Sequence, residues 1–306
     1  MIRRIAIVLI GILVVLLGRG FFYYSGFYWA PHIEMPSFEQ VIAPLEPSTE
    51  YSDVYEKGEG IVLLDIAHDN VGVEELNVLT SRLISRGLTI EFFSPGDDLK
   101  KELLGKEGEE KEEGLKEKPP VAYIIVCPQA EFPKEEREAI NTFVNDGGKL
   151  LLIADPTRSG EMNSISLKFG LIFEPDYLYN MKENDANFRN IFITEFKENE
   201  ITKDLEKIAL YTAGSITSAD CTAFVDQNTF SSVIETRKGL SPIALTNESK
   251  VLAIYDLTFM TEPYNGILDN NQLISNIADW LASPAEVPGA EAKAGNRSRL
   301  RLSIKL

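Results

Sequence analysis

Polar side chains recur where apolar runs of this 306-residue chain stop. Asp65, His68, Asp69 and Asn70 follow "GIVLL", and Gln129 follows "VAYIIVCP". Asp155, Thr157 and Arg158 follow "KLLLIA", and Asp256 follows "VLAIY". Carboxylates beside an imidazole can hold a hard cation or a small polar ligand, because such cations prefer oxygen ligands. The same residues also have a structural use. Asp69 or Asn70, placed before "VGVEEL", fits the cap of a following helix, and Asp155 before Pro156 fits a carboxylate that binds its own turn. The sequence leaves open whether a metal is bound. It contains no Gly-rich phosphate loop, no HExxH and no CxxC. The only other histidine is His32, and Gly147-Gly148 reads as a helix C-cap rather than a ligand loop.

The runs that carry these groups alternate in period. "GIVLLDIAHD", "VAYIIVCP", "KLLLIADP" and "KVLAIYDLTFM" are short and apolar, as buried strands are, and "LTIEFF" reads as a further strand. Between them, "VEELNVLTSRLISRG" has helical spacing that Gly87 ends, and "PKEEREAINTFVNDGG" opens with Pro and closes with Gly. Residues 97–118 are a mixed-charge run that predicts a helix and an exposed loop, and 160–250 predict a less regular mixture of short elements. "NNQLISNIADWLA" predicts a last helix with Leu273, Ile277, Trp280 and Leu281 on one face. Strands separated by helices predict an α/β domain, a mostly parallel sheet with helices on both faces. In such a sheet ligands sit outside the carboxyl ends of the strands, where the polar residues fall.

Residues 5–17, "IAIVLIGILVVLL", and the aromatic stretch that follows predict one N-terminal transmembrane helix within 1–30. Arg3 and Arg4 precede it, so the positive-inside bias puts the N-terminus in the cytoplasm and the main domain outside. No small-x-small site or lipobox cysteine follows, which favours an uncleaved signal anchor over a signal peptide. Pro31, Pro36, Pro44 and Pro47 mark 31–58 as a stalk, 59–283 as the domain and 284–306 as a basic, disordered tail. A net charge of −17 excludes a nucleic-acid surface as partner. Cys127 and Cys221, the only cysteines, read as buried small hydrophobes rather than a disulfide.

"DIAHDN", "YIIVCPQAEFPKEEREAINTFVNDGGKLLLIADPTR", "NSISLKFGLIF" and "NEITKDLEKIALYTAGSIT" together resemble a recognisable group. The chain is similar to a membrane-anchored domain-of-unknown-function family with a class I glutamine amidotransferase-like fold, close to flavodoxin-like sheets. That family is similar to the auxiliary extracytoplasmic domains of gliding-motility-type ABC transporters. The resemblance covers about residues 59–283. It implies work beside a membrane complex, an ABC exporter or an assembly served by a MoxR-type ATPase. Amidotransferases of the superfamily place a nucleophilic cysteine on the turn after the strand matching Lys149–Ala154. Asp155-Pro156-Thr157 stands there instead, and neither histidine holds the family's place for the base.

The expectation is therefore a non-catalytic binding or scaffold domain, a pseudoenzyme with no cofactor, whose partners are the membrane and proteins of a membrane complex. Two alternatives stand beside it. One is a metal-dependent hydrolase using Asp65, His68, Asp155 and Asp256, and the other is a small-molecule receptor at the same edge.

Overall fold

The computed structural model describes residues 2–23, 51–105, 120–158, 160–233 and 239–283. The end of the expected 1–30 anchor, most of the stalk with His32, residues 106–118 of the charged run and the 284–306 tail lie outside the described residues. The chain divides into two compact units, Met1–Ala43 and Pro44–Leu306.

In the first unit, Ile2–Tyr23 form α1, a helix of 22 residues none of which is buried within the chain. At about 1.5 Å per residue it is about 33 Å long, close to the ~30 Å of a bilayer's hydrocarbon core. It is long and apolar enough to span a membrane or act as a signal anchor.

The second unit is α/β. Strands β1 (Gly60–Asp65), β2 (Leu88–Phe93), β3 (Ala122–Val126), β4 (Lys149–Ala154), β5 (Glu195–Phe196), β6 (Cys221–Phe224), β7 (Ile243–Thr246) and β8 (Val251–Tyr255) form one sheet. Their order is β2-β1-β3-β4-β8-β7-β6-β5. The first five in that order are parallel neighbours, and β7, β6 and β5 extend the sheet antiparallel. Residue character follows position. β3, β4 and β8 are central and buried along their whole length, whereas edge strand β2 exposes Thr89, Glu91 and Phe92. The 160–250 region holds the antiparallel strands β5 to β7 and three two-stranded pairings of shorter segments, such as Asn190–Ile193 with Ile208–Tyr211.

Helices α2 (Asn77–Ser85), α3 (Leu99–Leu104), α4 (Lys134–Asn145), the single turn α5 (Asn163–Ser166) and α6 (Asn270–Ala282) complete the unit. Alternate strand residues divide between two core clusters. Val62, Leu64, Ile124, Val126, Leu151 and Ile153 join Leu79 and Leu83 of α2 and Leu273, Ile277 and Trp280 of α6. Leu63, Tyr123, Ile125, Leu150 and Leu152 join Leu99 and Leu103 of α3 and Ile140, Phe143 and Val144 of α4. Each such large apolar side chain contributes roughly 1.5–3 kcal/mol on burial. The ends of α4 follow its composition. Glu135 and Glu136 lie in its first turn, where the helix dipole favours anions, and Gly147 takes φ 105° at its close. Lys149, buried at the start of β4, donates to the Trp280 and Ser283 carbonyls and so satisfies the C-terminal end of α6.

The described end of the expected stalk, residues 51–58, is bound to the domain. Asp53 accepts from both Nη atoms of Arg86 at 3.0 Å, and Arg86 also donates from Nε to Asp279 at 2.6 Å. Tyr55 lies over the Arg86 guanidinium, Tyr51 over that of Arg82, and Gly58 N–H donates to the Arg86 carbonyl at 2.7 Å. Cation–π contact and ion pairing to the buried Arg86 guanidinium oppose the backbone entropy that a free stalk would keep.

Candidate functional site at the carboxyl edge of the sheet

β1 has β2 on one side and β3 on the other, so the switch point of the parallel strands lies between β1 and β3. Asp65, the last residue of β1, is fully buried. Its carboxylate accepts from Ala67 N–H at 3.1 Å and faces Nδ1 of His68 at 2.9 and 3.0 Å. The other ring nitrogen of His68 faces Glu136 of α4 at 2.8 Å, and Phe132 stacks on the imidazole at 3.7 Å. Burial alone would lower the histidine's pKa. Hydrogen bonding and charge from Asp65, then from Glu136, outweigh it and raise the pKa above its ordinary value, which favours imidazolium.

This crevice is closed by loop-to-loop hydrogen bonds. Asn70 donates to the Val126 carbonyl at 2.9 Å and to Asp65 at 3.2 Å, and Val71 N–H donates to the Cys127 carbonyl at 3.2 Å. The His68 carbonyl accepts from Gln129 N–H at 2.9 Å and Ala130 N–H at 3.1 Å. The Gln129 side chain donates back to the Cys127 carbonyl at 3.0 Å. Asp69 is exposed, with φ 51°. The expected cap by Asp69 or Asn70 does not form. The short helix that follows begins after Gly72 with no side-chain cap bond, because Asn70 is turned inward to hold the two loops and accepts from His68 N–H.

A second bonding group stands at the end of β4. Asp155 accepts from Thr157 N–H at 2.8 Å and from the Thr157 hydroxyl, so the expected binding of its own turn is present. It also accepts from Leu257 N–H at 3.3 Å, beyond β8. Arg158 is held by both Glu75 oxygens at 2.7 and 2.8 Å and lies 3.6 Å from Asp155. Gly72 is required beside it: at φ 83°, an added Cβ would lie 2.6 Å from Leu257 and 3.3 Å from Arg158. Asp256 follows β8. Fully buried, it accepts from Tyr211 N–H at 2.5 Å and Thr258 N–H at 2.8 Å, and burial, with Asp155 nearby, pushes its carboxyl well up.

The expected residues thus share an edge without forming one cluster. Asp65, His68, Asn70 and Gln129 join through one network and Asp155, Thr157 and Arg158 through another, to which Thr258 links Asp256 by donating its N–H to Asp256 and its hydroxyl to Asp155. Among the described residues, no set of three or more His, Cys, Asp or Glu side chains is placed to hold a metal. Glu136 and Glu75 are bonding partners of these residues that sequence reasoning missed. Each is an acidic residue in the first turn of its helix, which signals a dipole role and gives no hint of a partner 68 or 83 residues away.

Backbone strain marks Cys127 rather than Asp155. Cys127, directly after β3, has φ 37°, a left-handed conformation costing a non-glycine residue about 1 kcal/mol or more. Both cysteines are free and buried. Burial first, then the Asp155 charge, pushes the Cys127 thiol up to about 12. A thiol so placed is protonated at neutral pH and unsuited to nucleophilic attack.

No family model matches the chain, and a search of curated proteins finds no match. Among solved structures, the chain is similar to one described as "mmIFT52 N-terminal domain", with a TM-score of 0.58 and 13% identity over 72% of this chain and 97% of that one. At that identity the likeness concerns fold alone. A ThuA-like protein from Parabacteroides merdae ATCC 43184 aligns at a TM-score of 0.38 and 9% identity over 74% of this chain and 91% of that one, and carries no argument.

Proposed function

We propose that this chain is a non-catalytic, membrane-anchored binding or scaffold domain acting in a membrane complex, with an amidotransferase-like fold and helices on both faces of its sheet. The observation that carries the reading is the fate of Asp155. At the position where the amidotransferases it resembles hold their nucleophile, it is bonded to Thr157 N–H and Leu257 N–H and lies beside Arg158. The closed crevice at Asp65 and His68 and the protonated Cys127 thiol support it, since neither leaves an activated group for chemistry. Two core clusters, one containing α2 and α6 and the other α3 and α4, support helices on both faces.

The resemblance to auxiliary domains of gliding-motility-type ABC transporters supplies the class of partner, and Arg3 and Arg4 supply the orientation, with the N-terminus cytoplasmic and the domain extracytoplasmic. The test is cross-linking of the full chain in its native membranes, followed by mass spectrometry, together with protease access to the domain from each side. A membrane-protein partner and cleavage from the outside alone are the expected results. Glutamine hydrolysis by the purified chain, abolished in Cys127→Ala, would overturn the non-catalytic reading.

A further inference from the structure

A two-stranded ribbon in the 160–250 region turns its aromatic side chains outward. Leu178–Asn180 pairs antiparallel with Thr229–Ser231, with Phe230 opposite Tyr179. Side chains alternate along a strand, and Leu178, Asn180, Thr229 and Ser231 take the inner face, where all are buried. That face is largely polar and satisfied internally: Asn180 donates to Asp226 and to the Thr229 hydroxyl at 3.0 Å each, and the Ser231 hydroxyl donates to Asp176. Tyr177, Tyr179 and Phe230 are left on the opposite face, half-buried, beside Phe188, which is 40% exposed. Tyr179 stacks with Phe230 at 5.7 Å between centroids and meets Tyr177 at 6.2 Å and Phe188 at 6.3 Å. A ribbon with one face in water ordinarily carries polar residues there, so rings clustered at the surface mark an interaction site.

Arg189 lies over this cluster. Its guanidinium carbon is 4.4 Å from the Tyr177 centroid and 5.5 Å from that of Phe188. The backbone is pinned, since Arg189 N–H donates to the Asn187 side chain at 3.0 Å and its carbonyl accepts from Thr212 N–H at 3.0 Å. The side chain has no such partner. Arg82, Arg86, Arg137 and Arg158 each donate to an oxygen, whereas Arg189 alone among the described arginines of this unit donates to none, and its Nε is buried without an acceptor. The acids of the surrounding segments are engaged elsewhere: Asp185 accepts from the Tyr211 hydroxyl at 2.9 Å, and Asp226 from Asn180, Thr229 and Asn228.

We infer that this face docks a protein segment that presents a carboxylate, an Asp or Glu side chain flanked by apolar residues. A guanidinium matches a carboxylate with two parallel N–H donors, and the rings already hold this one in place, so little side-chain entropy is lost on binding. Tyrosine, phenylalanine and arginine are also the residues in which interface cores are rich. A sugar platform requires open ring faces, but Phe230 covers a face of Tyr179 and Arg189 a face of Tyr177. The free polar group is the guanidinium. The inference rests on the binding-domain reading and gives it a face and a partner chemistry.

The experiment is saturation-transfer NMR of the full chain in lipid nanodiscs with acetyl-Phe-Glu-Phe-amide, its neutral counterpart acetyl-Phe-Gln-Phe-amide, and cellotriose. Saturable binding of the glutamate peptide is expected, about fivefold tighter than the glutamine peptide, with no saturation by the sugar. Arg189→Gln should erase the preference, and Arg189→Lys should keep only part of it, because an ammonium lacks the planar fork. Phe188→Leu should weaken both peptides about threefold. Where Arg189→Gln does not fold, about 1 M sodium chloride added to the wild type takes its place and should bring the glutamate peptide to the affinity of the glutamine peptide. Equal affinity for the two peptides, a preference that survives Arg189→Gln, or tighter binding of cellotriose would overturn the inference. So would self-association of the chain that Arg189→Gln abolishes without any peptide binding, which would make a second copy the occupant. Glutamine hydrolysis sinks the binding-domain reading by itself and is measured without the peptides, so the two failures are distinguishable.

Discussion

Asp53 and Arg86, 33 residues apart in the chain, meet through two hydrogen bonds of 3.0 Å each. The arginine side chain is wholly buried, and Asp279 and Ser275 complete its partners. The segment that leads into β1 is therefore part of the domain's structure.

Asp53→Ala should destabilise the domain by about 2 kcal/mol, because it leaves a buried guanidinium short of countercharge. Urea unfolding measures the loss, and hydrogen exchange should rise first in residues 51–58. Burial alone would raise the Asp53 pKa, but hydrogen bonds from Arg86 and Ser275 and the arginine charge bring it below its ordinary value. Its contribution is thus present above the ordinary carboxylate range and lost as pH falls through the lowered value. A wild-type acid-unfolding curve that Asp53→Asn leaves unchanged would contradict this.

His68 gives the opposite dependence. Its folded pKa is raised, so its contribution is fully present below the ordinary histidine value of about 6.5 and is lost as pH rises through the raised value. The imidazole resonances should titrate late in an NMR series. His68→Gln should remove most of the difference in stability between pH 6 and pH 9.

Asp155→Ala should cost about 2 kcal/mol, since Thr157 N–H and Leu257 N–H lose their acceptor. Asp155→Asn, which retains an acceptor oxygen, should cost less. Thermal unfolding of both variants provides the comparison, and equal losses would show that the turn does not depend on that oxygen.

Cys127 should resist alkylation. With its thiol pushed up to about 12, the thiolate population near pH 8 is roughly a thousandfold below that of a free cysteine. Mass spectrometry after iodoacetamide treatment should find Cys127 modified only once the chain is unfolded. Rapid native modification would mean that the thiol is activated.

Much of this protein was legible in its sequence. Continuous apolar runs marked β1, β3, β4 and β8, since a strand covered on both sides must be apolar along its length, whereas edge strand β2 carries Thr89 and Glu91. Helical spacing located α2, α4 and α6, and strand ends located the polar residues of the carboxyl edge other than Glu136 and Glu75. The short antiparallel strands β5 to β7 were not legible as strands, because two to four residues are too few for a period to declare itself.

What only the tertiary structure decided is which of those polar groups meet. Local pattern records that Asp65, His68, Asp155 and Asp256 end strands or follow them. It contains nothing about Glu136 reaching His68, Glu75 reaching Arg158, or Tyr211 N–H reaching Asp256. Nor does it reveal that Asp53 would be drawn out of an expected stalk onto Arg86. Periodicity is set by how one element presents a face to its neighbours. Pairing across 33 to 83 residues is set by strand order and crossover geometry, which bring distant side chains within 3 Å only after the sheet has formed.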